Sequence, residues 1–324
     1  MVNENKIDHK KIKKIILDIE HEVSKMVVGQ KEIIRGIIRG ILCNGHVLVE
    51  GVPGVAKTLV IMTIGKVMGC EVNRIQFTVD LLPTDITGIQ SYTPGKGFEV
   101  LKGPIFANFI IADEINRSPS KTQSALLEAM QEKKVTISKK TYDLPLPFFV
   151  MATQNPLENT GVYQLPEAQI DRFLFKLLID YPTKEEEIHV LEQNMTTRSF
   201  DSYDLKPIAN PKTIINLQRE VKKVFTSDAI KKYIIDIVNV TRDKNFSYAK
   251  YISYGASPRA AIALFIASKA ESLMQGRNFV TPEDIKTVIY PVLRHRIILN
   301  YQAEAEKVSS DDIINEILKQ VKVP

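Results

Sequence analysis

EGVPGVAKT, residues 50–58, is the stretch that decides the fold of this chain. A short apolar run, HVLVE at residues 46–50, leads into it, and an apolar helical stretch begins at Lys57. A strand, a glycine-rich turn and a helix in this order are what a phosphate-binding loop requires. The stretch therefore predicts an α/β domain in which the N-terminus of a helix faces a bound anion.

The loop residues suit a bound nucleotide. Gly51 and Gly54 allow successive backbone N–H groups to turn inward around a phosphate, while Lys57 can reach the outer phosphate oxygens. Ala56 stands where the pattern usually has glycine. The alternative is a helix-start turn with a chance lysine, which the flanking strand and helix disfavour. The predicted nucleotide-binding residues of this segment are Gly51, Val52, Pro53, Gly54, Val55, Ala56, Lys57, Thr58 and Leu59.

A pair of acids follows a second strand-like run, NFIIA at residues 108–112. In a nucleotide site the first acid, Asp113, binds the hydrated Mg²⁺ together with the Thr58 hydroxyl. The second acid, Glu114, orients or deprotonates the attacking water. Thr58 and Asp113 are therefore predicted metal ligands, Asp113 also binds nucleotide, and Glu114 is a predicted catalytic residue. The adjacent pair favours hydrolysis over binding alone.

Two further polar residues are candidate site residues, and for each of them a non-catalytic role remains an open alternative. Asn155 follows the strand-like run at residues 148–153 and is suited to position a water or contact a γ-phosphate, although Asn-Pro also favours a plain turn. Arg172 follows a short helical stretch. It is suited to pair with Asp171 on the surface, or to reach a γ-phosphate across a subunit boundary as an arginine finger.

The rest of the chain predicts two domains after an N-terminal helix at residues 1–25. Strand-like and helical stretches alternate over residues 26–182, which is typical of a parallel α/β sheet, with β-hairpins near 87–103 and 133–147. Only helical periodicity follows at 183–324, including stretches at 258–275 and 281–300. The 324 residues carry a mild net charge of +5 and two cysteines without metal-ligand spacing. No apolar run has membrane-spanning length and no signal peptide precedes the first helix, so we expect a cytoplasmic protein.

Five ordered segments resemble the MoxR family of AAA+ ATPases: EGVPGVAKT, IIADEINRSPSKTQSALLEAMQE, MATQNP, LPEAQIDRFLFK and GASPRA. The resemblance covers about residues 27–298, and Ala56 is typical of MoxR-like loops. It implies a P-loop AAA+ α/β/α nucleotide domain with a parallel sheet plus a C-terminal all-α lid domain, with ATP and Mg²⁺ as cofactors. It also implies assembly of the chain with itself, usually as a hexameric ring.

The resemblance assigns roles to individual residues. Lys57 and Thr58 match the Walker A motif, and Asp113 and Glu114 match Walker B. The remaining matches are Asn155 as sensor 1, Arg172 as the arginine finger, Arg259 as sensor 2, and Val28, Gly29 and Gln30 as the segment that lines the adenine pocket. The two hairpins match the helix-2 and pre-sensor-1 insertions, and in rings with these insertions Arg259 can serve either its own ATP or a neighbour's.

Three biological roles are compatible with these residues. The resemblance favours a chaperone-like remodeller of a partner protein, acting with a separate protein that has a von Willebrand factor A domain. A nucleic-acid motor is a weaker alternative, because Lys133, Lys134, Lys139 and Lys140 are accompanied by only Tyr142 as a stacking residue. An ATP-gated scaffold is the third, and the intact Asp-Glu pair disfavours it.

Overall fold

The computed structural model describes residues 9–52, 57–95, 97–156, 163–192 and 204–324. The described residues form two compact units. Of the described residues, those within Leu17–Phe173 and Leu177–Ile215 form the sheet unit, and those up to Ile16, Leu174–Lys176 and Asn216–Pro324 form the helical unit. Among the described residues no helix is both long and apolar enough to cross a membrane.

The helices and strands follow the predicted alternation. The helices are α1 His9–Ser24, α2 Lys31–Leu42, α3 Lys57–Val67, α4 Pro83–Thr87, α5 Ser120–Glu132, α6 Glu167–Ile170, α7 Lys184–Glu192, α8 Pro211–Lys223, α9 Asp228–Val240, α10 Pro258–Met274, α11 Pro282–Leu293, α12 Tyr301–Ala305 and α13 Ser310–Gln320. The strands are β1 Val47–Gly51, β2 Val72–Gln76, β3 Gly88–Thr93, β4 Gly97–Lys102, β5 Phe109–Asp113, β6 Lys134–Ile137, β7 Lys140–Asp143, β8 Phe149–Gln154, β9 Phe175–Ile179, β10 Ile252–Tyr254 and β11 Ile298–Leu299.

Within the described residues the main sheet has five strands in the order β2-β5-β8-β1-β9. The pairs β2–β5, β5–β8 and β1–β8 are parallel. The register aligns Gln76 with Asp113 and Glu50 with Gln154, so the carboxyl ends of four strands meet at one edge. In open parallel sheets this edge is where ligands bind.

Burial explains why these strands form the centre of the sheet. Phe109, Ile110, Ile111 and Ala112 of β5 are completely buried, which is typical of a strand covered on both faces. His46 directly precedes β1, and its Nδ1 accepts a hydrogen bond of 3.0 Å from the Val150 N–H of β8. Burial lowers the pKa of His46 to about 4, so the ring is neutral at physiological pH.

Two antiparallel pairs lie in the segments that predict hairpins. β3 pairs with β4 from Gly88↔Lys102 to Thr93↔Gly97. β6 pairs with β7 from Lys134↔Asp143 to Ile137↔Lys140. Both pairs belong to the sheet unit, and Val135 and Ile137 of β6 are buried in its core.

The helical unit differs from the sequence expectation in two respects. It contains a short antiparallel pair, β10–β11, where only helices were predicted. The helix expected over residues 281–300 ends at Leu293, because Ile298 and Leu299 pair with β10 and the Asn300 N–H donates to the Tyr251 carbonyl at 3.0 Å, which requires an extended backbone after a turn at residues 294–296.

The predicted domain boundary at residue 183 does not coincide with the limits of the compact units. Residues up to Ile215 belong to the sheet unit. Two backbone contacts explain this: Lys206 N–H donates to the Glu22 carboxylate at 2.9 Å, and Ile208 N–H donates to the Val67 carbonyl at 2.7 Å. Residues 206–208 are thereby bound to Glu22, in the part of α1 that belongs to that unit, and to the end of α3.

Candidate functional site

The phosphate-loop lysine lies at the ligand-binding edge of the sheet. Lys57 begins α3, and its Nζ donates to the carbonyl oxygens of Gly51 at 2.5 Å and Gln154 at 3.4 Å. These carbonyls end β1 and β8, so Lys57 bridges two strand ends. Leu59 is half-buried in the first turn of the same helix. Pro53, Gly54, Val55 and Ala56 lie outside the described residues.

The two predicted metal ligands lie next to one another. Thr58 Oγ1 is 3.5 Å from Asp113 Oδ2, although 55 positions separate the two residues in the chain. A hydroxyl and a carboxylate are hard oxygen donors, and Mg²⁺ sites typically combine one or two such protein ligands with phosphate oxygens and water. The residues present therefore fit a Mg²⁺ ion bound together with a nucleotide.

Thr153 fixes the acid pair from the neighbouring strand. Its hydroxyl donates to Asp113 Oδ1 at 2.7 Å and accepts the backbone N–H of Glu114 at 2.9 Å. One side chain therefore sets the rotamer of Asp113 and the backbone direction of Glu114. The sequence prediction includes Thr153 only as a strand residue, because its role depends on the β5–β8 pairing.

The carboxylate of Glu114 is held by two side chains. Gln76 Nε2 donates to Glu114 Oε2 at 3.1 Å, and Arg117 Nη1 donates to the same oxygen at 3.0 Å. The backbone of Glu114 is in the left-handed region, with φ 55° and ψ 51°, a conformation that costs a non-glycine residue free energy and recurs at functional sites. The predicted water-activating group is thus fixed at both its backbone and its carboxylate.

Arg74 is a further contact of the acid pair that the motifs do not predict. Its Nη2 and Nε donate to Asp113 Oδ2 at 2.5 and 3.0 Å, and Nη2 also donates to Gln76 Oε1 at 2.8 Å. Arg74 and Gln76 are two residues apart in β2 and therefore point to the same face of the sheet. The polar–apolar–polar alternation of Arg74, Ile75 and Gln76 was the available sequence signal.

Asn155, the predicted sensor, directly follows β8 and is buried. The preceding residue, Gln154, is the one whose carbonyl contacts Lys57. The backbone therefore places Asn155 beside the phosphate-loop lysine, at the edge where β1, β5 and β8 end.

The segment predicted to line the adenine pocket begins α2. Gly29 has φ 68° and Gln30 has φ 53°, so both residues are left-handed. The positive φ of Gly29 explains the glycine, because a residue with a Cβ atom is strained in this conformation. Val28 and Gly29 border a pocket of about 520 Å³ that also involves α1, α2 and His189. This volume lies within the range of small-molecule sites.

The two remaining arginines of the prediction lie in different units. Arg172 is exposed and lines a cleft of about 300 Å³ with Gln169 and residues of α5. None of the residues that line this cleft is a predicted P-loop or Walker B residue. Arg259 is exposed in the first turn of α10 in the helical unit, where Ser257 caps the helix by accepting its backbone N–H at 3.2 Å.

The fold and the site together define a P-loop ATPase of the AAA class. The family model "ATPase family associated with various cellular activities (AAA)" matches residues 46–175, and the model "AAA lid domain" matches residues 248–317. The chain belongs to the MoxR family of AAA+ ATPases. This confirms the predicted fold class and family.

The similarity to individual relatives extends over nearly the whole chain. The chaperone MoxR1 of Mycobacterium tuberculosis (strain ATCC 25618 / H37Rv) is 44% identical over 94% of this chain and 81% of its own length. Protein YeaC of Bacillus subtilis (strain 168) is 45% identical over 94% of this chain and 93% of its own. A crystal structure from Cytophaga hutchinsonii ATCC 33406 has a TM-score of 0.91 and 48% identity, covering 98% of this chain and 97% of that one.

Proposed function

We propose that this protein hydrolyses ATP in a Mg²⁺-dependent reaction. The observation that carries the proposal is the convergence of Lys57, Thr58 and Asp113 at the carboxyl edge of the sheet. Lys57 exchanges its two carbonyl partners for the outer phosphate oxygens, and Thr58 and Asp113 bind the metal. A bound Mg²⁺ supplies positive charge against the phosphate oxygens.

Glu114 and Asn155 are proposed to act on the attacking water. Of the two Walker B carboxylates, Asp113 is assigned to the metal and Glu114 is not. The Glu114 backbone N–H donates to the Thr153 hydroxyl at 2.9 Å, which fixes the backbone at this residue. The Glu114 carboxylate orients the water and accepts its proton, and the Asn155 amide completes the position of the water relative to the γ-phosphate. The adenine is proposed to lie against Val28, Gly29 and Gln30.

Arg172 is proposed to act on the ATP of a neighbouring subunit. Its exposed side chain, in a cleft that no predicted P-loop or Walker B residue lines, supports this arrangement. A finger supplied to a neighbour implies head-to-tail contacts, which close into a ring when the rotation permits. A hexamer is the ring we propose, with Arg259 as the sensor that reports nucleotide to the helical unit.

The steady-state Mg-ATPase rate per subunit, measured over a wide range of protein concentration, tests this proposal. We expect the specific activity to rise and then saturate, because each site is completed by the next subunit. A rate that stays flat down to concentrations at which the chain is monomeric contradicts shared sites. Absence of turnover at every concentration, with ATP bound, indicates the gated scaffold instead.

Mixing two inactive variants tests the Arg172 assignment directly. Arg172→Ala subunits keep Glu114, and Glu114→Gln subunits keep Arg172, so a mixed ring contains interfaces with both groups intact. With random head-to-tail assembly we expect about a quarter of the parent activity to return on mixing. Fluorescence exchange between labelled subunits verifies that mixing occurs. Mixed rings that stay as inactive as the separate variants show that Arg172 is not supplied in trans.

The biological role we propose is chaperone-like remodelling of a partner protein in the cytoplasm, together with a separate von Willebrand factor A domain protein. The name of the M. tuberculosis relative, a chaperone, supports the first part. The exposed pair Tyr92 and Phe98 on the β3–β4 hairpin, with ring centroids 5.3 Å apart, provides an apolar surface suited to a polypeptide segment.

A nucleic-acid motor is the second candidate, favoured by the lysines of the β6–β7 hairpin. Lys140 Nζ lies 5.2 Å from the centroid of the Tyr142 ring, the combination that single-strand binders use. However, the Tyr142 ring is half-buried against Phe106, and Lys134 pairs with Asp143 at 3.5 Å. Tight binding to single or double strands that falls steeply with salt would favour this candidate over the chaperone.

A further inference from the structure

Arg74 occupies the oxygen of Asp113 that a metal ion requires. Its Nη2 lies 2.5 Å from Asp113 Oδ2, the oxygen that Thr58 Oγ1 approaches to 3.5 Å. The other oxygen, Oδ1, accepts the Thr153 hydroxyl at 2.7 Å. A cation held by Thr58 and Asp113 therefore has to take the place of the guanidinium at Oδ2.

The surroundings of this ion pair allow such an exchange. The side chain of Asp113 is only 13% exposed, whereas that of Arg74 is 53% exposed. Arg74 also lies on β2, an edge strand of the sheet, so the guanidinium can move into solvent without disturbing packed neighbours. Asp113, in contrast, is held in place by Thr153 from β8, so its carboxylate stays where a metal would bind.

We propose that Arg74 is a positioning residue that stands in for the metal ion when the site holds none. This inference rests on the proposed Mg²⁺-dependent ATPase. The guanidinium neutralises Asp113 and keeps the carboxylate in its metal-binding rotamer until a divalent cation arrives with the nucleotide. The cation then displaces Arg74 from Oδ2, so the guanidinium and the metal compete for that oxygen.

Competition of this kind has a defined thermodynamic consequence. The fraction of molecules in which Arg74 covers Oδ2 cannot bind the metal, so the apparent metal affinity is reduced by that fraction. In the absence of metal, the contact between Arg74 and Asp113 neutralises the carboxylate and so reduces its repulsion of the ATP phosphates. Removing the guanidinium therefore tightens nucleotide binding in Mg²⁺ and weakens it in the absence of metal.

The test is the ratio of two dissociation constants for N-methylanthraniloyl-ATP on the whole chain, one in EDTA and one with the nucleotide supplied as its Mg²⁺ complex without excess free metal. A pair that is formed in nine molecules of ten predicts that Arg74→Gln widens this ratio about tenfold. Arg74→Lys keeps a cation that can reach Oδ2, and we expect it to restore most of the parent ratio. Thermal melting of each variant verifies that the fold is retained.

Arg219→Gln is the matched control. Arg219 is exposed on α8, and none of the contacts described around Asp113 and Glu114 involves it. The same substitution there removes one positive charge from the chain without uncovering either acid, so the ratio should stay at the parent value.

The outcomes separate this inference from the proposed function. A parent protein whose nucleotide affinity is the same in EDTA and in Mg²⁺ contradicts the Mg²⁺ site itself. A parent with clear metal dependence whose ratio is unchanged in Arg74→Gln contradicts only the role of Arg74. A ratio that narrows in Arg74→Gln also overturns the inference, because it shows that Arg74 supports the bound metal instead of competing with it.

Discussion

Lys57→Ala is expected to lose ATP binding, with a dissociation constant at least about 100-fold above that of the parent. The Lys57 ammonium is half-buried at the start of α3 and already lies between two strand-end carbonyls. Phosphate oxygens replace these carbonyls as partners, so binding gains a charge-assisted contact at little cost in desolvation. Alanine offers neither the charge nor the reach. Isothermal titration with ATP and Mg²⁺ measures the change.

The control for this variant is Lys66→Ala in the last turn of the same helix. It removes the same charge from α3 at the end remote from the strand edge, and its ATP affinity should stay within about threefold of the parent. Nucleotide affinity that is unaffected in Lys57→Ala, in a protein that melts like the parent, would show that residues 51–58 do not form a phosphate-binding loop.

The parts of the candidate site that the sequence predicts are those encoded locally. The spacing of Gly51, Lys57 and Thr58 defines a loop between a strand and a helix, and all the chemistry lies within eight positions. Asp113 and Glu114 end an apolar run whose burial is evident from its composition. Their mutual approach follows from a general property of parallel sheets, whose functional ends lie at one edge.

The contacts around the acid pair could not be predicted, because they depend on strand order and register. Arg74 reaches Asp113, and Gln76 reaches Glu114, only because β2 pairs with β5. The register of that pair aligns Gln76 with Asp113. Thr153 reaches both acids only because β8 lies on the other side of β5. A single sequence specifies neither pairing, so polar residues in a strand give no indication of their partners.

In the helical unit the sequence prediction misses two strands for a different reason: the strands are too short to give a local sequence signal. β11 has two residues and β10 has three, and neither contains enough alternation to indicate a strand. The capping box of α11, in contrast, is encoded in four consecutive residues. The Thr281 N–H and hydroxyl both donate to the Asp284 carboxylate, at 2.7 and 3.0 Å, and α11 starts at Pro282, directly after Thr281.

Glu114→Gln is expected to keep ATP and lose turnover. The glutamine oxygen can still accept from Gln76 and Arg117, and the backbone contact with Thr153 does not involve the side chain. Nucleotide affinity should therefore stay within about threefold of the parent, since no metal or phosphate contact is removed. The amide cannot accept a proton from water, so kcat should fall by about 10² to 10⁴. Binding titration and steady-state turnover, measured on the same preparation, separate the two effects.

Glu132→Gln provides the matched comparison, because it makes the same change at an exposed position at the end of α5. Its turnover should equal that of the parent, which excludes a general effect of the lost negative charge. Parent-like turnover in Glu114→Gln would remove Glu114 as the group that activates water. Weakened ATP binding in Glu114→Gln would have a different meaning: the negative charge of this carboxylate beside Arg117, which glutamine does not supply, would then be required to form the nucleotide site, and Glu114 would act on binding before it acts on chemistry.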